Sequence, residues 1–145
     1  VSEGIIGSER LIEMLNVHNG NLVLEEKGIY SIEKFIVARR LMYWQVYLHK
    51  TVVAAEYMLI YTLRRAKELV KNGEVIFASS ALKFFLENDI KQEDFEKNPK
   101  VLDFFAQLDD YDILGAIKEW QNNSDEVLSI LSKALVNRKL FKIEI

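Results

Sequence analysis

"SIEKFIVARRLMYWQVYLHKTVVAAEYMLIYTLRRAKELVK", residues 31–71, decides the fold. Neither glycine nor proline interrupts it, and Gly73 follows its basic end as a helix stop, with cations placed near the negative end of the dipole. The stretch predicts some forty helical residues, longer than a globular domain ordinarily uses. One unbroken spine satisfies the pattern, and so do two helices meeting at a bend near Tyr47–Thr51.

Upstream, "SERLIEML" (8–15) sets Leu11, Ile12, Met14 and Leu15 at helical spacing for about two turns. Asn19-Gly20 then lies between apolar-containing runs, a pair that readily supplies the two positive-φ positions of a type I′ turn, and predicts a small β-hairpin near 16–25. Downstream, "EVIFASSALKFFLEN" begins β-branched and becomes helical, with Ser79 or Ser80 as its cap. Pro99 suits a first turn, Asp109 or Asp110 can cap "YDILGAIKEWQ", and Ser124 can cap "DEVLSILSKALVN". The tail "RKLFKIEI" ends with strand-like alternation and predicts a C-terminal strand. The fold class is therefore mainly α: a helical lobe built on a long helix or helix pair over about 31–71, read as one domain over 1–145.

The chain has 145 residues, half of them apolar and 28% charged, enough for a core that needs no disulfide or metal. A net charge of −3 argues against a general polyanion binder, so nucleic acid is not favoured even with Arg39, Arg40, Arg64 and Arg65 present. The absence of cysteine excludes disulfides and thiolate nucleophiles and fits a reducing cytoplasm. No apolar run reaches the ~20 residues that span a bilayer. Val1 in place of methionine, together with a terminal strand lacking a partner, predicts a piece of a longer protein.

Chemistry of its own is sparse in this sequence. The two histidines, His18 and His49, fall in separate elements, and no His-Glu-x-x-His, phosphate-binding Gly-rich loop or Gly-x-Ser-x-Gly elbow occurs. His18 reads as a surface residue beside the turn. Asp109, Asp110 and Asp112 can offer oxygens to a hard cation, although helix capping is the simpler reading. "LRRAK" (63–67) reads as a solvated face at a helix end rather than an interaction patch. On an unbroken helix Arg39 and Lys50 would differ by only ~20° in direction while standing ~16 Å apart, which gives one face two separated cations. From spacing alone these cations simply snorkel over a core face or pair with nearby carboxylates, and the neighbouring aromatics read as an apolar stripe through Leu41, Trp44, Leu48 and Ala55.

With its surroundings, "EKGIYSIEKFIVARRLMYWQVYLHKTVVAAEYML" (26–59) resembles the segment after the catalytic region of HD-domain deoxynucleoside triphosphate triphosphohydrolases, the bacterial branch most of all. A vertebrate relative shares an Arg followed eight residues later by Tyr-x-His-Lys, here Arg39 with Tyr47, His49 and Lys50. "DEVLSILSKALVNRKLFK" (125–142) resembles the family's late helix and its Arg-x-Leu-Phe-Lys close, and "VSEGIIGSERL" (1–11) resembles the stretch directly after its last catalytic-lobe helix. The resemblance implies a C-terminal lobe whose metal-binding HD region lies upstream. It assigns Arg39 to the substrate's phosphates, Tyr47 to the nucleoside pocket, and Lys27, His49 and Lys50 to a regulatory nucleotide site between subunits. It also implies a divalent metal such as Mg or Mn in the parent enzyme, none in this chain, a dNTP substrate, a nucleotide effector and a homo-oligomer. Gln45 stands where the vertebrate enzyme has an arginine, and Leu48 replaces a polar neighbour of the pocket tyrosine, departures that bear on nucleotide identity and on allosteric control. The competing expectation, from the residues alone, is a non-catalytic helical interaction module.

Overall fold

The Asn19-Gly20 pair does what its chemistry predicts: both residues sit at positive φ, 50° and 77°, and the chain reverses there into an antiparallel hairpin. In the computed structural model, which describes residues 7–142, the hairpin is β1 (Leu15–His18) and β2 (Asn21–Leu24), with Leu15 opposite Leu24 and His18 opposite Asn21. The fold is mainly α, as expected. The chain divides into two compact units, Val1–Val53 and Ala54–Ile145.

In the first unit α1 (Ser8–Glu13) leads into the hairpin. A single turn of 3-10 helix, Glu26–Gly28, then leads into α2 (Ile29–Met42). Gly28 is buried there, and a Cβ on it would stand 3.0 Å from both Leu24 Cγ and Met14 Cβ, so any larger residue requires the Leu24 and Met14 side chains to shift by a few tenths of an ångström. After Met42 the helix changes pitch. Tyr43–Tyr47 form a π-helical turn in which the Leu48 N–H donates to the Tyr43 carbonyl at 2.8 Å. The chain leaves helical geometry at Leu48 and restarts as α3 (Lys50–Lys71), inside the window expected for a bend.

The second unit is built on α3, whose residues Ala54, Met58, Thr62, Ala66 and Leu69 are buried at successive intervals of four, four, four and three. The Thr62 hydroxyl donates to the Met58 carbonyl at 2.7 Å, which satisfies it without a partner from outside the helix. Gly73, at φ 87°, ends the helix as predicted, with Glu74 N–H donating to Leu69 O and Gly73 N–H to Val70 O. Four further helices carry predicted or closely related caps. In α4 (Ser80–Glu87) Ser79 Oγ accepts from Leu82 N. In α6 (Pro99–Gln107) Asn98 caps ahead of Pro99, and in α7 (Asp110–Trp120) the cap is Asp109. In α8 (Glu126–Val136) the cap is Asp125 rather than Ser124, because the carboxylate Oδ1 takes the Leu128 N–H at 2.8 Å. Between α4 and α6 lies α5 (Gln92–Lys97), a helix the sequence reading passed over. Its signal was Asp94, whose carboxylate accepts from the Lys91 N–H at 2.7 Å.

Ala66, Leu69, Leu82, Leu86, Ala116, Ile117, Trp120 and Leu128 form the core of this unit. Trp120 is 1% exposed, and its indole N–H donates to the Phe77 carbonyl at 2.8 Å, so the largest core side chain buries no unpaired donor. Phe84 stacks on Phe104 at 4.4 Å, while Phe85 and Phe95 meet Phe105 edge-on. Residues 139–142 form no strand. The Phe141 N–H instead lies 3.4 Å from Met58 Sδ, and the rest of the expected C-terminal strand, 143–145, falls outside the described residues.

The basic run over 63–67 is not a merely solvated face. Arg65 donates to both carboxylate oxygens of Asp125, at 3.1 and 2.7 Å, and to Glu68 Oε2 at 3.1 Å. Lys67 donates to the carbonyls of Phe85 and Asn88 and pairs with Asp89, which Lys71 also holds. Asp125 thus joins α3 to the start of α8, with its side chain only 14% exposed. The Arg65 guanidinium, seconded by the Leu128 N–H, holds the Asp125 carboxyl below the usual carboxylate range.

Two tests follow from this packing. Because the Asp125 carboxyl has a lower pKa folded than unfolded, its contribution is fully present above the unfolded value of about 4 and is lost as pH falls through the folded value. Denaturant midpoints measured from neutral pH down to about pH 2 should show an acid loss that is shallower in Asp125→Asn. The Ser132 hydroxyl is wholly enclosed and has no hydrogen-bond partner among the described residues, so Ser132→Ala should raise stability or leave it unchanged, by up to about 1–2 kcal/mol.

Candidate functional site

Arg39 and Tyr47 lie in one continuous stretch of the first unit, the last turn of α2 and the π-helical turn after it. Their spacing of eight leaves room for a residue midway, and Tyr43 occupies it. The guanidinium carbon of Arg39 stands 5.5 Å from the centroid of the Tyr43 ring, within cation–π range. The Tyr47 ring lies 5.1 Å from that of Tyr43, tilted by 51°. Cation, ring and ring therefore run in sequence along the surface. Tyr43 is 46% exposed and Tyr47 56% exposed, so both rings are open to a ligand. Tyr43 was not singled out from sequence, although the i, i+4, i+8 spacing of Arg39, Tyr43 and Tyr47 is the signal that finds it.

The reading of these aromatics as an apolar core stripe fails. Trp44 is 63% exposed and Leu48 is also exposed; Ala38 is the buried residue of α2. The premise of the two-cation face, an angular step of 100° per residue, holds only on an unbroken α-helix. The π-helical turn and the break at Leu48 both lie between Arg39 and Lys50.

His49 has a structural task at that break. Its Nδ1 accepts from the Thr51 N–H at 3.3 Å, and its carbonyl accepts from the N–H groups of Val52 and Val53 at 2.9 and 3.1 Å. An acceptor Nδ1 places the neutral-ring proton on Nε2. His49 thus stands at the position that caps α3, with the exposed Lys50 beside it. Lys27 is in the turn before α2, where its ammonium pairs with Glu25 at 2.9 Å and lowers the Glu25 carboxyl below the usual range. Among the described residues no hydrogen bond or ion pair joins Lys27 to Arg39, His49 or Lys50. The structure thus places Arg39 and Tyr47 on either side of the Tyr43 ring, His49 next to Lys50 at the start of α3, and Lys27 in an ion pair with Glu25.

The other candidate ligand groups have structural roles. Asp109 Oδ1 accepts from the Tyr111 and Asp112 N–H groups, and Asp112 Oδ2 accepts from the Asp109 N–H, a reciprocal cap. His18 is exposed in β1. No group of three or more His, Cys, Asp or Glu among the described residues can hold a metal ion. No helix among them is long and apolar enough to cross a membrane.

Residues 6–84 match the family described as HD associated region, a span that encloses every candidate site residue and more than half of the chain. The structure is similar to that of a phosphohydrolase from Bacteroides thetaiotaomicron, at 60% sequence identity and a TM-score of 0.96 over 99% of this chain and 36% of that one. Among curated relatives, the uncharacterized protein YwfO of Bacillus subtilis is 33% identical over 98% of this chain and 31% of its own length. An uncharacterized protein of Mycoplasma genitalium is 25% identical over 94% of this chain and 35% of its own. The chain spans about a third of the length of the relatives it matches.

The capping geometry of His49 has a measurable consequence. His49→Ala removes the side-chain acceptor and should cost about 0.5–1 kcal/mol, seen as faster hydrogen exchange at the Thr51 amide, whereas His49→Asn should restore the slow rate.

Proposed function

The chain belongs to the HD associated region family, and from that premise we propose that it is the C-terminal lobe of a metal-dependent phosphohydrolase that cleaves dNTPs to deoxynucleoside and triphosphate. The observation that carries this reading is the Arg39–Tyr43–Tyr47 stack lying open inside the matched span. Likeness to a phosphohydrolase over nearly the whole chain supports the reaction class.

In this reading Arg39 meets the triphosphate. Its planar fork can donate to two phosphate oxygens at once. Tyr47 lines the nucleoside side, where an exposed ring offers an apolar face to a sugar or base. The chain's own part is to bind and orient. In this reading the divalent metal, Mg or Mn, is held by residues of the parent protein outside this chain and supplies the activation of water.

His49 and Lys50 make up the core of a second, effector-binding site, with Lys27 joining only where an incoming phosphate replaces the Glu25 carboxylate as its partner. Homo-oligomeric assembly and a cytoplasmic setting belong to the same proposal and rest on the family resemblance.

The test is release of triphosphate from dNTPs by the full-length parent protein with Mg²⁺ or Mn²⁺. Arg39→Ala should lower kcat/KM by about 10²-fold, the loss of one or two charge-assisted hydrogen bonds. An unimpaired variant removes Arg39 from the site. A wild-type protein that neither binds nor cleaves dNTPs favours the non-catalytic interaction module instead.

A further inference from the structure

We propose that Tyr43 is a positioning residue for Arg39, holding the guanidinium in place by its ring face while leaving the N–H donors free for a triphosphate; this rests on the reading of the site given above. Arginine can be restrained in two ways, with opposite consequences for ligand binding. A carboxylate partner fixes the side chain but occupies its donors and offsets its charge, as Asp125 and Glu68 do to Arg65 in the second unit. An aromatic face fixes it through the ring quadrupole and leaves the donors, which lie in the guanidinium plane, directed elsewhere.

Arg39 is of the second kind. Among the described residues no carboxylate pairs with it, and the contact that locates it is the Tyr43 ring at 5.5 Å. Tyr43 is in turn braced by Tyr47 at 5.1 Å and by its own carbonyl, which accepts the π-helical bond from Leu48 N–H. A flexible cation is thereby ordered before the ligand arrives, so less side-chain entropy is lost on binding. The second unit supplies an internal control, since Arg64 lies 5.7 Å from the Tyr61 ring, which neighbours Tyr57 at 6.5 Å, and none of the three is a candidate site residue.

Four variants of the full-length protein test the role. Tyr43→Leu should raise KM for dNTP about ten-fold with kcat changed less than about two-fold, the loss of ground-state and transition-state binding alike. Tyr43→Phe keeps the ring face and should stay within about two-fold of wild type in both constants, as should Tyr61→Leu. In an Arg39→Ala background Tyr43→Leu should add no further loss. The proposal is overturned if Tyr43→Leu matches Tyr61→Leu, if Tyr43→Phe is as impaired as Tyr43→Leu, or if the two losses add.

A second measurement on the 145-residue chain itself separates this idea from the reading beneath it. The Arg39 Nε–H resonance should be displaced by the ring current in wild type and Tyr43→Phe, and not in Tyr43→Leu. If wild type shows no displacement, the stack does not exist and the positioning role falls whatever the enzyme does. If the displacement is present but the parent releases no triphosphate, the reading of the site fails and the role fails with it.

Discussion

Thr62 and Ala66 are wholly enclosed on α3, and everything that packs around them in the second unit is constrained by how little room they take. A larger side chain at either position would collide with neighbours on a face that has no slack, because protein interiors are packed at near-crystalline density. Thr62 carries the further condition that its hydroxyl be satisfied inside its own helix, which the Met58 carbonyl does. The bulky partners, Leu69, Leu82, Ile117, Trp120 and Leu128, complete the same core. The enclosed positions of α3 mix small residues, Ala54, Thr62 and Ala66, with large ones, Met58 and Leu69, so the surrounding helices meet a face of uneven depth. The Arg65–Asp125 pair locks the rim of this arrangement, and the same carboxylate ends the N–H row of α8.

The first unit follows a different logic. Few of its side chains are buried, and its most informative residues are those left in the open. An additional residue per turn over Tyr43–Tyr47, followed by a break at Leu48, converts what would have been continuous helix into a surface where one cation and two rings stand side by side. Departures from regular helix of this type are frequent at functional sites. Here the break at Leu48 stands between Tyr47, the last residue of the irregular turn, and His49, just ahead of α3, so the proposed substrate and effector residues lie only two positions of chain apart.

Local chemistry was legible in the sequence wherever one or two residues fix a backbone state. Asn19-Gly20 gave the hairpin, Gly73 the end of α3, and Ser79, Pro99 and Asp109 the starts of three helices. The window for the bend was also legible, from the length of the uninterrupted run. The content of the bend was not: no proline or glycine announces a π-helical turn, so an angular argument that assumes a continuous helix from Arg39 to Lys50 loses its premise. Burial was misjudged for Trp44 and Leu48 because an apolar residue on a helix is ordinarily assigned to a core, and periodicity cannot say whether that core lies within the chain. Asp125 displaced Ser124 as a cap because Arg65, sixty residues away, rewards a carboxylate there, and α5 escaped notice because six residues are too short for a periodic signal. For the candidate site, Arg39 and Tyr47 came from resemblance, and Tyr43 from geometry.

The two tryptophans fall one in each unit and in opposite surroundings, Trp44 63% exposed beside the aromatic stack and Trp120 1% exposed at the centre of the other unit. Each unit consequently carries its own optical reporter. Trp44 emits from a water-relaxed indole open to ionic quenchers, while Trp120 emits from a shielded one whose spectrum moves only when its surroundings come apart. Excited together, the two indoles separate by emission wavelength and by access to quencher, so a change near the stack and the loss of the helical core can be followed as two signals from one cuvette.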